Sequence, residues 1–365
     1  MHRRCSIACM KRCPTPWPNN STPRGNTTPL ARPIPREPIM AELHMVEAVN
    51  LALAHALAND PDVVLLGEDI GVNGGVFRST VGLQSRFGEA RVIDTPLAEG
   101  AIVGAAIGMA AMGLKPVAEI QFAGFIYPAI DNILNHAGHM RHRTRGRITC
   151  PMVVRAPSGA GIHAPEHHSE SPEALFAQMP GIRVVMPSSP ARAYGLLLAA
   201  IRDPDPVIFL EPTRLYRLFR QEVADDGQAL PLDACFTLRE GTDLTLVSWG
   251  AMLRETLAAA DVLADDGVSA AVIDVATLKP LDMETILESV AQSGRCVIVH
   301  EAPRTAGLGA EIAANLADAG LYSLSAPVQR VTAPDTVVPL ARLEHSYMPS
   351  VARIVDAARR ALEAA

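Results

Sequence analysis

Three histidines, two acids and two serines crowd into GIHAPEHHSES, residues 161–171. The stretch follows an aliphatic run, PMVVRAP (151–157), and begins with glycine. Imidazoles on a loop at a strand end suit proton transfer or the binding of a carboxylate, although a polar surface loop would carry the same letters. A second candidate is Glu99 in RVIDTPLAEGAIVGAAIGMAAMGLKP (91–116), an acid at the mouth of a long run of small apolar residues. With Thr95 as N-cap and Pro96 as first helical residue, a capping box would need its acid at position 98, one residue earlier. The helix dipole would still favour a first-turn carboxylate by about 0.3–1 kcal/mol.

Other constellations are weaker. His136, His139 and His142 recur every third residue in a helix-like segment, but Arg141, Arg143 and Arg145 would repel a cation, so a polar helix face is expected. GLGAEI (307–312) follows a strand-like run, yet Ile312 stands where a dinucleotide fingerprint needs its third glycine. GxxxxGK[ST], GxSxG and HExxH do not occur. Cys5, Cys9 and Cys13 lack a fourth ligand for a metal cluster. The remaining cysteines, Cys150, Cys235 and Cys296, are far apart, which fits a reducing compartment.

The elements that must position the acid and the histidines alternate. Strand-like runs at 62–70, 116–122, 151–157, 182–187 and 206–212 are separated by helix-like segments, notably 45–60, 125–142 and 190–202. Such alternation predicts a parallel sheet covered on both faces. Residues 213–240 are charged and lack a core period, which predicts a linker at 221–240. A second α/β unit follows, with strands at 243–250, 268–280 and 295–302 and helices at 251–267, 283–294, 309–320 and 351–365. The fold class is therefore α/β, with two doubly wound domains at 40–220 and 241–365.

Residues 1–39 hold seven Lys/Arg against the single acid Glu37 and eight of the 29 prolines. This composition predicts a disordered or mis-started basic leader, with the fold beginning near Met40 or Met45. Its prolines would break the amphipathic helix of an organelle presequence. The body then carries 25 basic and 38 acidic residues, a poor surface for nucleic acid. No apolar run reaches the roughly 20 residues needed to span a bilayer.

Several stretches together resemble one family: LGEDIGVNGGVFRSTVGLQSRFGEARVIDTPLAEGAIVGAAIGMAAMGLKPVAEIQF, HHSESPEALFAQMPGIRVVMPSSP, AAIRDPDPVIFLEPTRLYR and HEAPRTAGLGAEI. They look like the β subunit of the thiamine-diphosphate-dependent decarboxylating component of 2-oxo acid dehydrogenase complexes, from about Met40 to the C-terminus. The resemblance implies a pyrimidine-binding domain followed by a transketolase C-terminal-type domain. It implies that Glu99 hydrogen-bonds N1′ of the cofactor's aminopyrimidine, with Leu97, Gln121 and Phe125 lining that pocket. It places His168 near the thiazolium and the incoming 2-oxo acid or lipoyl group. Many relatives read His-Ser-Gln-Ser where this chain has His168-Ser169-Glu170-Ser171, and His167 competes for the inward position. A structural potassium ion would involve Met152 or Val153, Ala200, Ile201, Asp203 and Asp205.

The family's Gly-Asp-Gly motif for diphosphate and Mg²⁺ is absent. The resemblance therefore implies an α subunit that supplies those ligands in an α2β2 heterotetramer, docked on a dihydrolipoyl acyltransferase core. The expected reaction is decarboxylation of pyruvate with reductive acetylation of a lipoyl group. Branched-chain 2-oxo acids such as 2-oxoisovalerate are the second substrate choice and acetoin the third. A complete transketolase or deoxyxylulose phosphate synthase would need the missing motif, and a catalytically silent bridging subunit is the rival outside enzymes. The expected location is the bacterial cytoplasm, or the mitochondrial matrix if the leader is a presequence.

Overall fold

Short runs of β-branched and aliphatic residues bounded by Gly or Pro build the central strands. Val63–Gly67, Val153–Ser158 and Val207–Pro212 are buried along their whole length, as strands covered on both faces must be. The computed structural model describes residues 40–364; the leader, with Cys5, Cys9 and Cys13, lies outside them. The first sheet has seven strands, in the order Thr277–Lys279, Arg183–Val185, Val207–Pro212, Val153–Ser158, Lys115–Glu119, Val63–Gly67, Val92–Asp94. All its neighbours are parallel except Thr277–Lys279, which is antiparallel to Arg183–Val185. The second sheet runs Gln329–Ala333, Cys296–Pro303, Leu244–Ser248, Ala270–Asp274, Phe236–Arg239, with only the last pairing antiparallel.

Successive residues of one strand feed opposite cores. Val63 and Leu65 pack with helices Met45–Asn59 and Pro190–Arg202, whereas Leu66 packs with helix Glu99–Ala111. This two-sided cover is the doubly wound α/β arrangement expected from the alternation of patterns.

Four local expectations change. Residues 221–240 are not bare linker: Gln221–Ala224 pairs with Met40–Leu43, and Phe236–Arg239 closes the second sheet. The run 268–280 is two strands, because after Ala276, at φ +49°, the chain leaves the second sheet and joins the edge of the first. Residues 125–142 do not form one helix. Pro128 lacks the N–H that a helix interior needs, and the segment breaks into two 3₁₀ turns, a π-turn at Asn132–Ala137 and a short helix at Met140–Arg143. No common histidine stripe survives this, and no group of three potential ligands gathers among the described residues. Finally, Thr95 does not cap the Gly/Ala helix. Its N–H is held by the Gly67 carbonyl at 3.0 Å, so the chain is still bound to the sheet there, and the helix starts at Glu99 with Ala98 as its N-cap.

Candidate active site

In open parallel sheets a crevice forms at the carboxyl edge where neighbouring strands send their connections in opposite directions. Here that point lies between Val63–Gly67, which leads outward to Val92–Asp94, and Lys115–Glu119, which leads the other way to Val153–Ser158. Glu68 leaves the first of these strands, Leu97 and Glu99 follow the second, Gln121 and Phe125 follow the third, and His168 sits on the loop after the fourth. Four adjacent strand ends thus bring together residues spread over a hundred positions of sequence.

Glu99 occupies the first helical position and is partly buried. Beside it lies a residue that sequence reasoning passed over. Glu68 is only 8 % exposed, and its Oε1 has no hydrogen-bond partner. Burial first, then the negative charges of Glu99 and Asp69, push its carboxyl above the usual range. The signal was present as an acid directly after an aliphatic strand, in LLGED. Leu97 is 77 % exposed on the approach to the helix, and Gln121 is half-buried two residues beyond Glu119.

The small residues of the helix serve close approach. The Gly100 carbonyl accepts a hydrogen bond from Asn132 Nδ2 at 2.7 Å, and a Cβ at Gly100 would stand 3.2 Å from the Pro128 carbonyl. The head of the helix is thereby tied to the segment that carries Phe125.

His168 is the imidazole drawn inward. Its ring stands edge-on to Phe122 at 4.2 Å and to Phe125 at 5.2 Å between centroids, and its Nδ1 is buried without a partner. The His167 side chain is 67 % exposed and lies 3.3 Å from the Glu166 carboxylate. In the same loop Glu170 accepts from the Tyr127 hydroxyl at 3.3 Å. Burial, followed by this neighbour, pushes the Tyr127 phenol up to about 12.

Two sets of buried charges support these groups, and neither was read from the sequence. Arg155, 2 % exposed, forks onto Glu211 with bonds of 2.7 and 2.8 Å and also contacts Glu119. Ser79 donates to Glu119 at 3.2 Å, and Tyr216 donates to Glu211. Burial raises the Glu119 carboxyl despite Arg155. The second set comes from the C-terminal half: Glu301 and Glu344 accept hydrogen bonds from the backbone of the histidine loop.

Met152, Val153, Ala200, Ile201, Asp203 and Asp205 group elsewhere. They sit where Val153–Ser158 begins, in the last turn of helix Pro190–Arg202 and just before Val207–Pro212. This is the opposite edge of the sheet from Glu99. Asp203 pairs with Arg183 at 2.9 Å and Asp205 with Arg141 at 2.7 Å.

Residues 41–218 match the transketolase pyrimidine-binding domain, and residues 234–354 match the transketolase C-terminal domain. The pyruvate dehydrogenase E1 component subunit beta of Bacillus subtilis (strain 168) is 49 % identical over 324 residues, 89 % of this chain and 100 % of the relative. That of Acholeplasma laidlawii is 47 % identical over 325 residues, 89 % of this chain and 99 % of the relative. A solved structure described as a split gene transketolase, inactive beta4 tetramer, superposes with a TM-score of 0.72 at 26 % identity, over 88 % of this chain and 99 % of that one.

Proposed function

The chain belongs to the family of pyruvate dehydrogenase E1 component β subunits, built on transketolase pyrimidine-binding and C-terminal domains, and on that premise we propose that it serves thiamine-diphosphate-dependent decarboxylation of pyruvate and reductive acetylation of lipoyl groups. The observation that carries this reading is the meeting of Glu68, Glu99, Phe125 and His168 at the switch point of the first sheet. A partly buried carboxyl, an aromatic wall and an unpartnered imidazole nitrogen suit a flat heterocycle and a 2-oxo acid.

Thiamine diphosphate, when bound, supplies the carbon nucleophile and takes up the electrons released with carbon dioxide. Glu99 holds the hydrogen bond at N1′ of the aminopyrimidine, and partial burial limits competition from water for it. Its neighbour Glu68, with a raised affinity for protons, can share the charge at this edge. Leu97, Gln121 and Phe125 line the ring, while His168 orients the 2-oxo acid or lipoyl group and moves a proton there.

Diphosphate and Mg²⁺ need hard oxygen ligands, and this chain has no Gly-Asp-Gly. An α subunit in an α2β2 assembly would supply them, with the acyltransferase core as the further partner. A structural K⁺ would be held by Met152 or Val153, Ala200, Ile201, Asp203 and Asp205. The Ala200 and Met152 carbonyls already accept from Asp203 N at 3.3 Å and Val207 N at 2.9 Å, which leaves each a second lone pair for a cation, and two carboxylates already neutralised by arginine favour a weakly held monovalent ion. We take the domains as 40–220 and 241–365, with Gln221–Ala224 of the joining stretch 221–240 pairing with the first and Phe236–Arg239 completing the sheet of the second. No helix among the described residues is long and apolar enough to cross a membrane; with bacterial relatives, we place the protein in the cytoplasm.

Glu99→Gln, assembled with its α subunit, should lower pyruvate turnover by about 10²–10⁴-fold with assembly intact. Survival of turnover in the assembled variant would sink the catalytic assignment and favour a silent bridging subunit. Decarboxylation rates on pyruvate and 2-oxoisovalerate decide the substrate.

A further inference from the structure

We propose that Glu301 is a positioning residue for His168, by which the C-terminal half of the chain clamps the stems of the histidine loop. The inference rests on the role of His168 proposed above. The loop closes on itself at its base, where Gly159 N donates to the Glu170 carbonyl at 2.9 Å and Ser158 Oγ donates to the same oxygen at 3.1 Å. His168 sits between these ends.

Ser158 makes this tie from the first sheet, and Glu301 adds one from the second. It leaves the second sheet within strand Cys296–Pro303, and its Oε1 accepts from Ala160 N at 3.0 Å and from Ser171 Oγ at 3.2 Å. One oxygen thus ties a residue on the incoming stem to one on the outgoing stem. The fit is close: Gly159 has φ +88°, and a Cβ there would stand 2.0 Å from Glu301 Oε1.

A second carboxylate from the same half extends the clamp. Glu344, on helix Ala341–Tyr347 and 2 % exposed, accepts from Gly161 N at 2.7 Å and from His163 N at 3.1 Å. His163 Nδ1 also meets it at 2.6 Å. The loop's far side is set from the first sheet, where the His167 carbonyl lies against Gly124, next to Phe125. His168 is therefore held between Phe122 and Phe125 on one side and a loop fastened to the second sheet on the other.

What the clamp requires of Glu301 is an acceptor, not a charge, and that separates it from a proton-transfer role. Glutamine keeps a carbonyl oxygen able to accept both bonds; alanine keeps none. Amide exchange in 159–171 of the full chain, and kcat and KM of the enzyme assembled with its α subunit, should be measured for Glu301→Ala, Glu301→Gln, Ser171→Ala and Ser171→Thr. Glu301→Ala should raise exchange in the loop about ten-fold, the equivalent of one to two lost hydrogen bonds. It should lower kcat more than it changes KM, and Glu301→Gln should restore both.

Ser171→Ala should do the same more weakly, with rescue by threonine, and it carries the test if Glu301→Ala does not fold. Unchanged exchange in both alanine variants would overturn the clamp, as would a glutamine variant as impaired as alanine. Normal turnover by His168→Ala would instead remove the function assigned to that histidine, while the exchange result still judges the clamp.

Discussion

His168 and His167 are adjacent letters with different surroundings. One ring is packed edge-on between Phe122 and Phe125, and the other stays in solvent beside Glu166. His168→Ala should therefore cost turnover by about 10²-fold or more, the scale of a lost acid–base group, and His167→Ala should cost little; steady-state rates of the assembled enzyme check both. Arg155 makes a different kind of prediction. Its guanidinium is the only cation recorded against the buried carboxylates of Glu119 and Glu211 among the described residues. Arg155→Met should destabilise the fold by about 3–5 kcal/mol, because two buried acids lose their partner; denaturant unfolding reads this directly.

Among the elements, the Gly/Ala helix shows how small residues are used position by position. At Gly104 in this helix a Cβ would find Asn132 at 3.6 Å, ordinary contact, whereas at Gly124, in the 3₁₀ turn Ala123–Phe125, it would meet the His167 carbonyl at 2.1 Å. Gly104→Ala should be neutral or stabilise by about 0.5–1 kcal/mol through helix propensity. Gly124→Ala should cost about 1–3 kcal/mol and lower turnover, since the histidine loop must shift. Thermal midpoints and rates of the two variants distinguish them. The helix itself was legible from its run of small apolar residues, but its start was not. Capping grammar pointed to Thr95, and a hydrogen bond from Thr95 N to Gly67 on the neighbouring strand overruled it. Local pattern likewise suggested a helix at 125–142, where Pro128 and Gly138 allow only short turns.

At the scale of the whole molecule, the contact between the two halves is laid with acids, Glu173 and Asp274 buried and Glu301 half-buried. Burial pushes Glu173 up to about 8 and Glu301 to about 7, and Asp274 up to about 6. For Glu173 the proximity of Glu301 adds to this. An acid whose pKa is higher folded than unfolded favours the folded state when protonated. Its contribution is complete below the unfolded value near 4.5 and is lost as pH rises through the folded value. Stability should therefore decline between about pH 5 and 8, by about 1.4 kcal/mol for each unit that a pKa is lifted. Glu173→Gln should flatten the upper part of that slope; unfolding midpoints across pH 5–8.5 test it.

The amino-acid sequence by itself determined the α/β alternation, the family and Glu99 and His168 as candidates, because periodicity and motif spacing are written in neighbouring residues. Tertiary structure alone decided which imidazole turns inward, that Glu68 stands beside Glu99, and that the cation-binding candidates gather at the other edge of the sheet. It also decided that Glu301 and Glu344 reach the histidine loop across more than a hundred residues. Those facts depend on strand order and on burial. Both arise from contacts between distant segments, which leave no local periodicity to read.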